Sequence, residues 1–219
     1  MNYKIGILAF GSLIDNPGDE IAKATIAHQN CVTPFKVEFA RISTKRSYTP
    51  TLLPVDDSAI GRSVNAKILI LREDITIKQA TDMLWRREVN KMGSENGYIE
   101  KPNPTSEQLQ IRNSDKFPEF EHVIYAYFSL QEKYLNLTSI QLAKYAYDSI
   151  LLEAGEQKRD GIRYLLSAKK SGTITQLSEE YEFALLKLTG TKTLEEAIVK
   201  MDGERERLKN IRQNIPIVK

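Results

Sequence analysis

Glu88, within the segment LWRREVNKM, is the residue whose placement first suggests chemistry. Counting back along a helix at about 100° per residue, Ile77, Thr81, Leu84 and Trp85 lie within roughly 60° of it, so this carboxylate continues an apolar stripe. A carboxylate on such a face is costly unless it is paired or functional. It is either a general acid/base or one half of a partly buried ion pair with Arg86 or Arg87, and helix geometry alone leaves both open. The second feature is ILAFGSLI, where an apolar run meets Gly11-Ser12. A glycine and serine directly after a buried strand can aim several backbone N–H groups at one point and bind an anion without side-chain charge. A plain strand-ending turn accounts for the same pair. The Walker A loop is excluded, because no G-x-x-x-x-G-K-[ST] is present.

The remaining candidates carry weaker signals. Ser12 has no G-x-S-x-G elbow around it, and Cys31, a lone thiol with no activating neighbour in sequence, reads as a small buried residue. Tyr125 and Tyr127 share one face of a strand and read as packing residues, while Arg41 could meet a substrate carboxylate or form a surface salt bridge. One cysteine builds neither a disulfide nor a multi-cysteine metal site within the chain, and with only His28 and His122 a His-rich metal site is not expected. The 31 basic and 29 acidic residues alternate along the chain, so neither a nucleic acid nor a membrane surface is expected as a partner. The opening MNYKIGILAFGS has no extended basic leader and no small-residue cleavage pattern, and cytoplasmic location is the expectation.

These residues need elements to hold them. Residues 4–10 (KIGILAF) predict a buried strand, and VEFARIS (37–43), SVNAKILIL (63–71) and HVIYAYFSL (122–130) predict three more. A helix should start at Thr76, where Thr-x-x-Gln can form a capping box, and run to a stop at Gly93. The stretch IEKPNPTSEQLQIRNSDKFPEF, with three prolines, reads as a long surface loop. From Thr138, SIQLAKYAYDSILLEAG places Ile140, Ala143, Tyr147, Ile150, Leu151 and Ala154 on one helical face, with Gly155 as the stop. Further helices are expected over Ile162 to Lys170, after Ser178 and after Thr193. The expected class is α+β, β-rich over residues 1–130 and helical over 138–212, in one domain spanning 1–219.

The order and spacing of AFGSLI, a helix carrying L-x-R-R-E, and then Gly97-Tyr98 resembles the gamma-glutamylcyclotransferase-like family, closest to its ChaC-type branch. The segment AGEQKRDGIRYLLSAKKSGTITQLSEEYEFALL is similar to the C-terminal pattern of that branch. The resemblance covers most of the chain and is loose between Gln29 and Gly61. It implies a small mixed β-barrel with flanking helices. It also implies cleavage of a small-molecule γ-glutamyl amide by its own α-amine, giving 5-oxoproline and a free amine without metal or cofactor. Glu88 would be the general acid/base, and the loop of Phe10, Gly11, Ser12 and Leu13 would bind the glutamyl moiety, with backbone N–H groups of Gly11, Ser12 and Leu13 facing it. Phe10 stands where the family has tyrosine, which keeps the ring and removes a hydroxyl. The interval from Arg87-Glu88 to Gly97-Tyr98 is longer than the compact form of the branch. Two other readings accompany this one: a catalytically inactive binding or regulatory module of the same fold, and a biosynthetic enzyme distinguished only by the amine it releases.

Overall fold

A continuous apolar run suits a strand covered on both faces, and the buried residues Ile5 to Ala9 make up most of one, β1 (Tyr3–Ala9). The computed structural model describes residues 3–55, 60–105, 108–129, 131 and 136–213. After β1 come α1 (Ser12–Asp15), α2 (Asp19–Ala24), β2 (Thr25–Val32), β3 (Val37–Ser43), β4 (Thr49–Pro54), β5 (Asn65–Leu71) and α3 (Ile77–Glu88). Then follow β6 (Gln110–Ser114), β7 (Phe120–Tyr127), α4 (Ser139–Ile150), α5 (Glu153–Glu156), α6 (Gly161–Lys170), α7 (Ser178–Thr189) and α8 (Leu194–Gln213). The chain is thus α+β. It divides into two units: Met1–Glu38, Leu53–Gln131 and Ala168–Thr175 form the first, and Phe39–Leu52, Glu132–Ser167 and Gln176–Lys219 the second.

The first unit holds a five-stranded sheet in the order β2-β5-β1-β7-β6. β1 pairs antiparallel with β5 (Ile7 opposite Leu69) and parallel with β7 (Ile7 opposite Ile124). Alternation along β1 sends Ile5, Ile7 and Ala9 into one apolar cluster, shared with Leu13, Ala80, Met83 and Leu84, and Leu8 into another with Ile68, Val123 and Tyr125. The described strands form an open sheet rather than the expected closed barrel. Its end strands β2 and β6 do not pair with each other, and β2 turns most of its residues to solvent. β6 lies inside the stretch expected to be one long loop, where Gln110 to Ser114 pair with β7. The expected strand to residue 130 ends at Tyr127, and Leu130 lies outside the described residues.

Helix α3 begins as its sequence dictates: Thr76 accepts from the Gln79 N–H, and the Gln79 side chain accepts from the Thr76 N–H at 2.8 Å. It stops at Glu88, five residues before Gly93. Asn90 adopts a left-handed conformation (φ 57°), and the Lys91 N–H turns back onto the Arg86 carbonyl at 2.7 Å. Its buried residues are Ala80, Met83 and Leu84; of the expected stripe Leu84 is buried, Thr81 and Trp85 are half-buried and Ile77 is exposed. Glu88 therefore borders the buried face instead of continuing its centre.

In the second unit Thr138 and Gln141 form the capping box of α4. Leu142, Ala143, Ala146 and Ile150 are its buried apolar residues, while Ile140, expected inside, is exposed. Gly155 is not the stop of that helix. It lies within α5, where a Cβ would collide with the Ile150 carbonyl oxygen. Phe39 packs edge-on against Tyr181 at 5.1 Å, and burial pushes the Tyr181 phenol well above its usual range. Among the described residues no helix is long and apolar enough to cross a membrane.

Candidate active site

The chain leaves β1 through Phe10 and turns at Gly11, whose backbone (φ 57°, ψ −136°) lies where side-chain-bearing residues are strained. Gly11→Ala is expected to lower stability by about 1–3 kcal/mol. Urea denaturation checks this, and an unchanged midpoint would show that the turn tolerates a Cβ. The Gly11 N–H does not face outward as expected: it donates to Thr173 Oγ1 at 3.0 Å in a buried bond. Thr173 is held in turn, its N–H donating to the Ala168 carbonyl at 2.8 Å. Arg62 grips the same strap through the carbonyls of Ile174 (3.0 Å) and Thr175 (2.6 Å). Among the described residues the N–H groups of Ser12 and Leu13 have no acceptor, as the first N–H groups of a helix do not.

The end of α3 meets this loop through Arg87. Its Nε and Nη2 donate to the Asn16 carbonyl at 3.1 and 2.9 Å, and Nη2 also donates to Ser12 Oγ at 3.1 Å. Its Nη1 donates to Glu88 Oε1 at 2.5 Å. The two side chains are mostly buried, 14% and 20% exposed, so the pair is stronger than a surface ion pair. Of the two arginines that could have paired with Glu88, Arg87 does. Arg86 turns the other way, donating Nε to both oxygens of Glu20 at 3.0 and 2.9 Å and Nη1 to the Asn96 carbonyl at 3.1 Å. The Arg86 guanidinium, helped by the Gly93 N–H, holds the Glu20 carboxyl below the usual range. Glu20 thereby ties α2 to α3 and to the turn after α3.

The structure brings Ser12, Arg87 and Glu88 into one hydrogen-bonded group. Leu13 contributes its side chain to the cluster containing Met83 and Leu84, which seats the loop against α3. Phe10 is not in this group. Its ring packs into the cluster on the other face of the sheet, 5.8 Å from Phe35 and nearly perpendicular to it. Phe35 continues to Tyr125 at 4.6 Å, and the Arg112 guanidinium lies 3.2 Å from the centre of the Tyr127 ring, so both tyrosines are packing residues there. Arg41 belongs to the second unit. Burial and the charge of Glu119 push the Cys31 thiol up to about 11, the opposite of an activated nucleophile. Gly97-Tyr98 lies along α3, the Tyr98 N–H donating to Asp82 Oδ1 at 2.7 Å.

Thr173 and Asn16 were not marked by sequence reasoning. Asn16 acts through its carbonyl, which any residue supplies, and Thr173 meets Gly11 across 162 positions of chain with no local pattern to announce it. Compared with protein-family models, with curated proteins and with solved structures, the chain matches none.

Proposed function

We propose that the chain is an intramolecular cyclotransferase of the gamma-glutamylcyclotransferase-like, ChaC-type kind, acting in the cytoplasm on a small γ-glutamyl amide. The single observation that carries this reading is the junction of Ser12, Arg87 and Glu88, which puts a carboxylate and a turn with two unaccepted N–H groups at the same end of β1 and α3.

The reaction faces two obstacles. The attacking α-amine is protonated near neutral pH, and the glutamyl chain rarely curls so that its nitrogen meets its own γ-carbonyl. Glu88 takes the ammonium proton. The freed nitrogen attacks the γ-carbonyl carbon, forming the ring C–N bond. As the original amide C–N bond breaks, Glu88 returns the proton to the leaving nitrogen and then takes the second proton from the ring nitrogen, so the ring closes to 5-oxoproline, and that second proton departs with the amine as its ammonium. The Ser12 and Leu13 N–H groups hold the substrate's carboxylate or the developing oxyanion. Glu88 and the loop supply the proton transfer and the curled geometry, so this route uses no metal or cofactor.

Incubation of the purified protein with a panel of γ-glutamyl amines and peptides, glutathione included, is expected to release 5-oxoproline from at least one of them. No 5-oxoproline from any member would overturn the reading. It would favour the second reading, a binding or regulatory module of the same fold, which the closed Arg87–Glu88 pair and the ring of Phe10 without a hydroxyl support.

A further inference from the structure

Resting on the cyclotransferase reading, we infer that Arg87 recognises the substrate's α-carboxylate, and that this carboxylate displaces Glu88 from Arg87 Nη1 and so releases the base. Arg87 is anchored independently of Glu88. Three of its hydrogen bonds, from Nε and Nη2, go to the Asn16 carbonyl and Ser12 Oγ, and only Nη1 is engaged by the carboxylate. When Glu88 turns away, the guanidinium keeps its place and presents Nη1 to another anion, with little rotamer entropy left to lose. Glu88 is the last residue of α3, with Val89 and the left-handed Asn90 next, so its side chain is not clamped by a following helical turn.

Charge balance selects the ligand. A γ-glutamyl group carries a carboxylate and an ammonium on the same carbon, and the site offers one cation and one anion on adjacent residues. Exchange converts the single pair Arg87–Glu88 into two, Arg87 with the α-carboxylate and Glu88 with the ammonium, and no mostly buried charge is left alone at any stage. An amide lacking the carboxylate cannot open the Arg87–Glu88 pair. An acid lacking the amine opens it only by stranding Glu88. Before exchange, Glu88 Oε1 accepts from Nη1 and the carboxylate charge faces the guanidinium. Afterwards Glu88 faces the proton it has to remove. Arg87 is thus a specificity-determining residue that also gates the base.

The experiment uses N-methylglutaramate, which has the carboxylate and the amide but no α-amine to close a ring, and measures its binding to the full chain by calorimetry. Glu88→Gln removes the competing carboxylate and leaves the Asn16 and Ser12 anchors of Arg87 in place, so this variant should bind the probe about 10-fold more tightly than wild type. Adding Arg87→Gln to Glu88→Gln should then lose about 10- to 100-fold. The exchange is overturned if Glu88→Gln binds no more tightly than wild type, or if the double variant binds as tightly as Glu88→Gln. The first arm leaves Arg87 intact and so does not depend on how the double variant folds. Tighter binding by Glu88→Gln together with no 5-oxoproline from the wild type overturns the cyclotransferase reading and keeps the carboxylate site. Release of 5-oxoproline with equal probe affinities does the reverse.

Discussion

Glu88→Gln is expected to lower the rate of 5-oxoproline release by about 10²- to 10⁴-fold, the range that a positioned general acid/base contributes. Glutamine keeps the length of the side chain, and its amide oxygen can still accept from Arg87 Nη1, so the variant should fold as the parent does. What it loses is the capacity to take a proton from an ammonium and hand it to the leaving nitrogen. The loss should fall on kcat, because the proton moves in the transition state and not in the bound ground state. Release of 5-oxoproline under saturating substrate, with a matched thermal denaturation curve, checks both halves. Turnover by Glu88→Gln at the parent rate would remove Glu88 from the chemistry and leave it as the structural partner of Arg87.

How much of this arrangement could be read beforehand depended on range. The capping boxes Thr76/Gln79 and Thr138/Gln141 were legible because both partners of each bond lie within four residues. The strand VEFARIS was legible because its apolar residues form a short local run. β2 was not: TIAHQNCV is an edge strand with one face in water, so it lacks the apolar run that marked β1. The open sheet was also invisible, since closure depends on whether strands 2 and 6 meet, and no local pattern encodes that. At the site, Glu88 and the Gly11-Ser12 turn were legible as separate oddities. What joins them was not, because the choice between Arg86 and Arg87 is decided by where Glu20 and Asn16 come to lie, some 70 residues earlier in the chain. The same limit explains Gly11. Its glycine was readable as a turn, but the commitment of its N–H to Thr173 is a tertiary fact.

The largest loss of stability is expected in the second unit, from Asp160→Ala. Asp160 is fully buried and works as cap and counter-ion at once. Its Oδ1 accepts from the N–H groups of Ile162 (3.1 Å) and Arg163 (3.0 Å) at the start of α6, and its Oδ2 accepts from Arg163 Nη1 at 2.6 Å. Arg163 continues to Asp202, which in turn pairs with Arg205 at 2.6 Å. Truncation to alanine leaves two helix N–H groups without acceptors and strips a mostly buried guanidinium of one of its two carboxylates, a combination that costs about 3–5 kcal/mol. Asp160→Asn separates the two roles. The amide oxygen can still cap α6 while the charge is gone, so its cost should be smaller, about 1–3 kcal/mol. Urea midpoints for the three proteins measure the difference, and the order wild type, Asp160→Asn, Asp160→Ala is the expected one. If asparagine costs as much as alanine, the charge on Arg163 dominates and the cap contributes little. If alanine costs under about 1 kcal/mol, then Asp202 alone satisfies Arg163 and the buried aspartate is not what holds the start of α6.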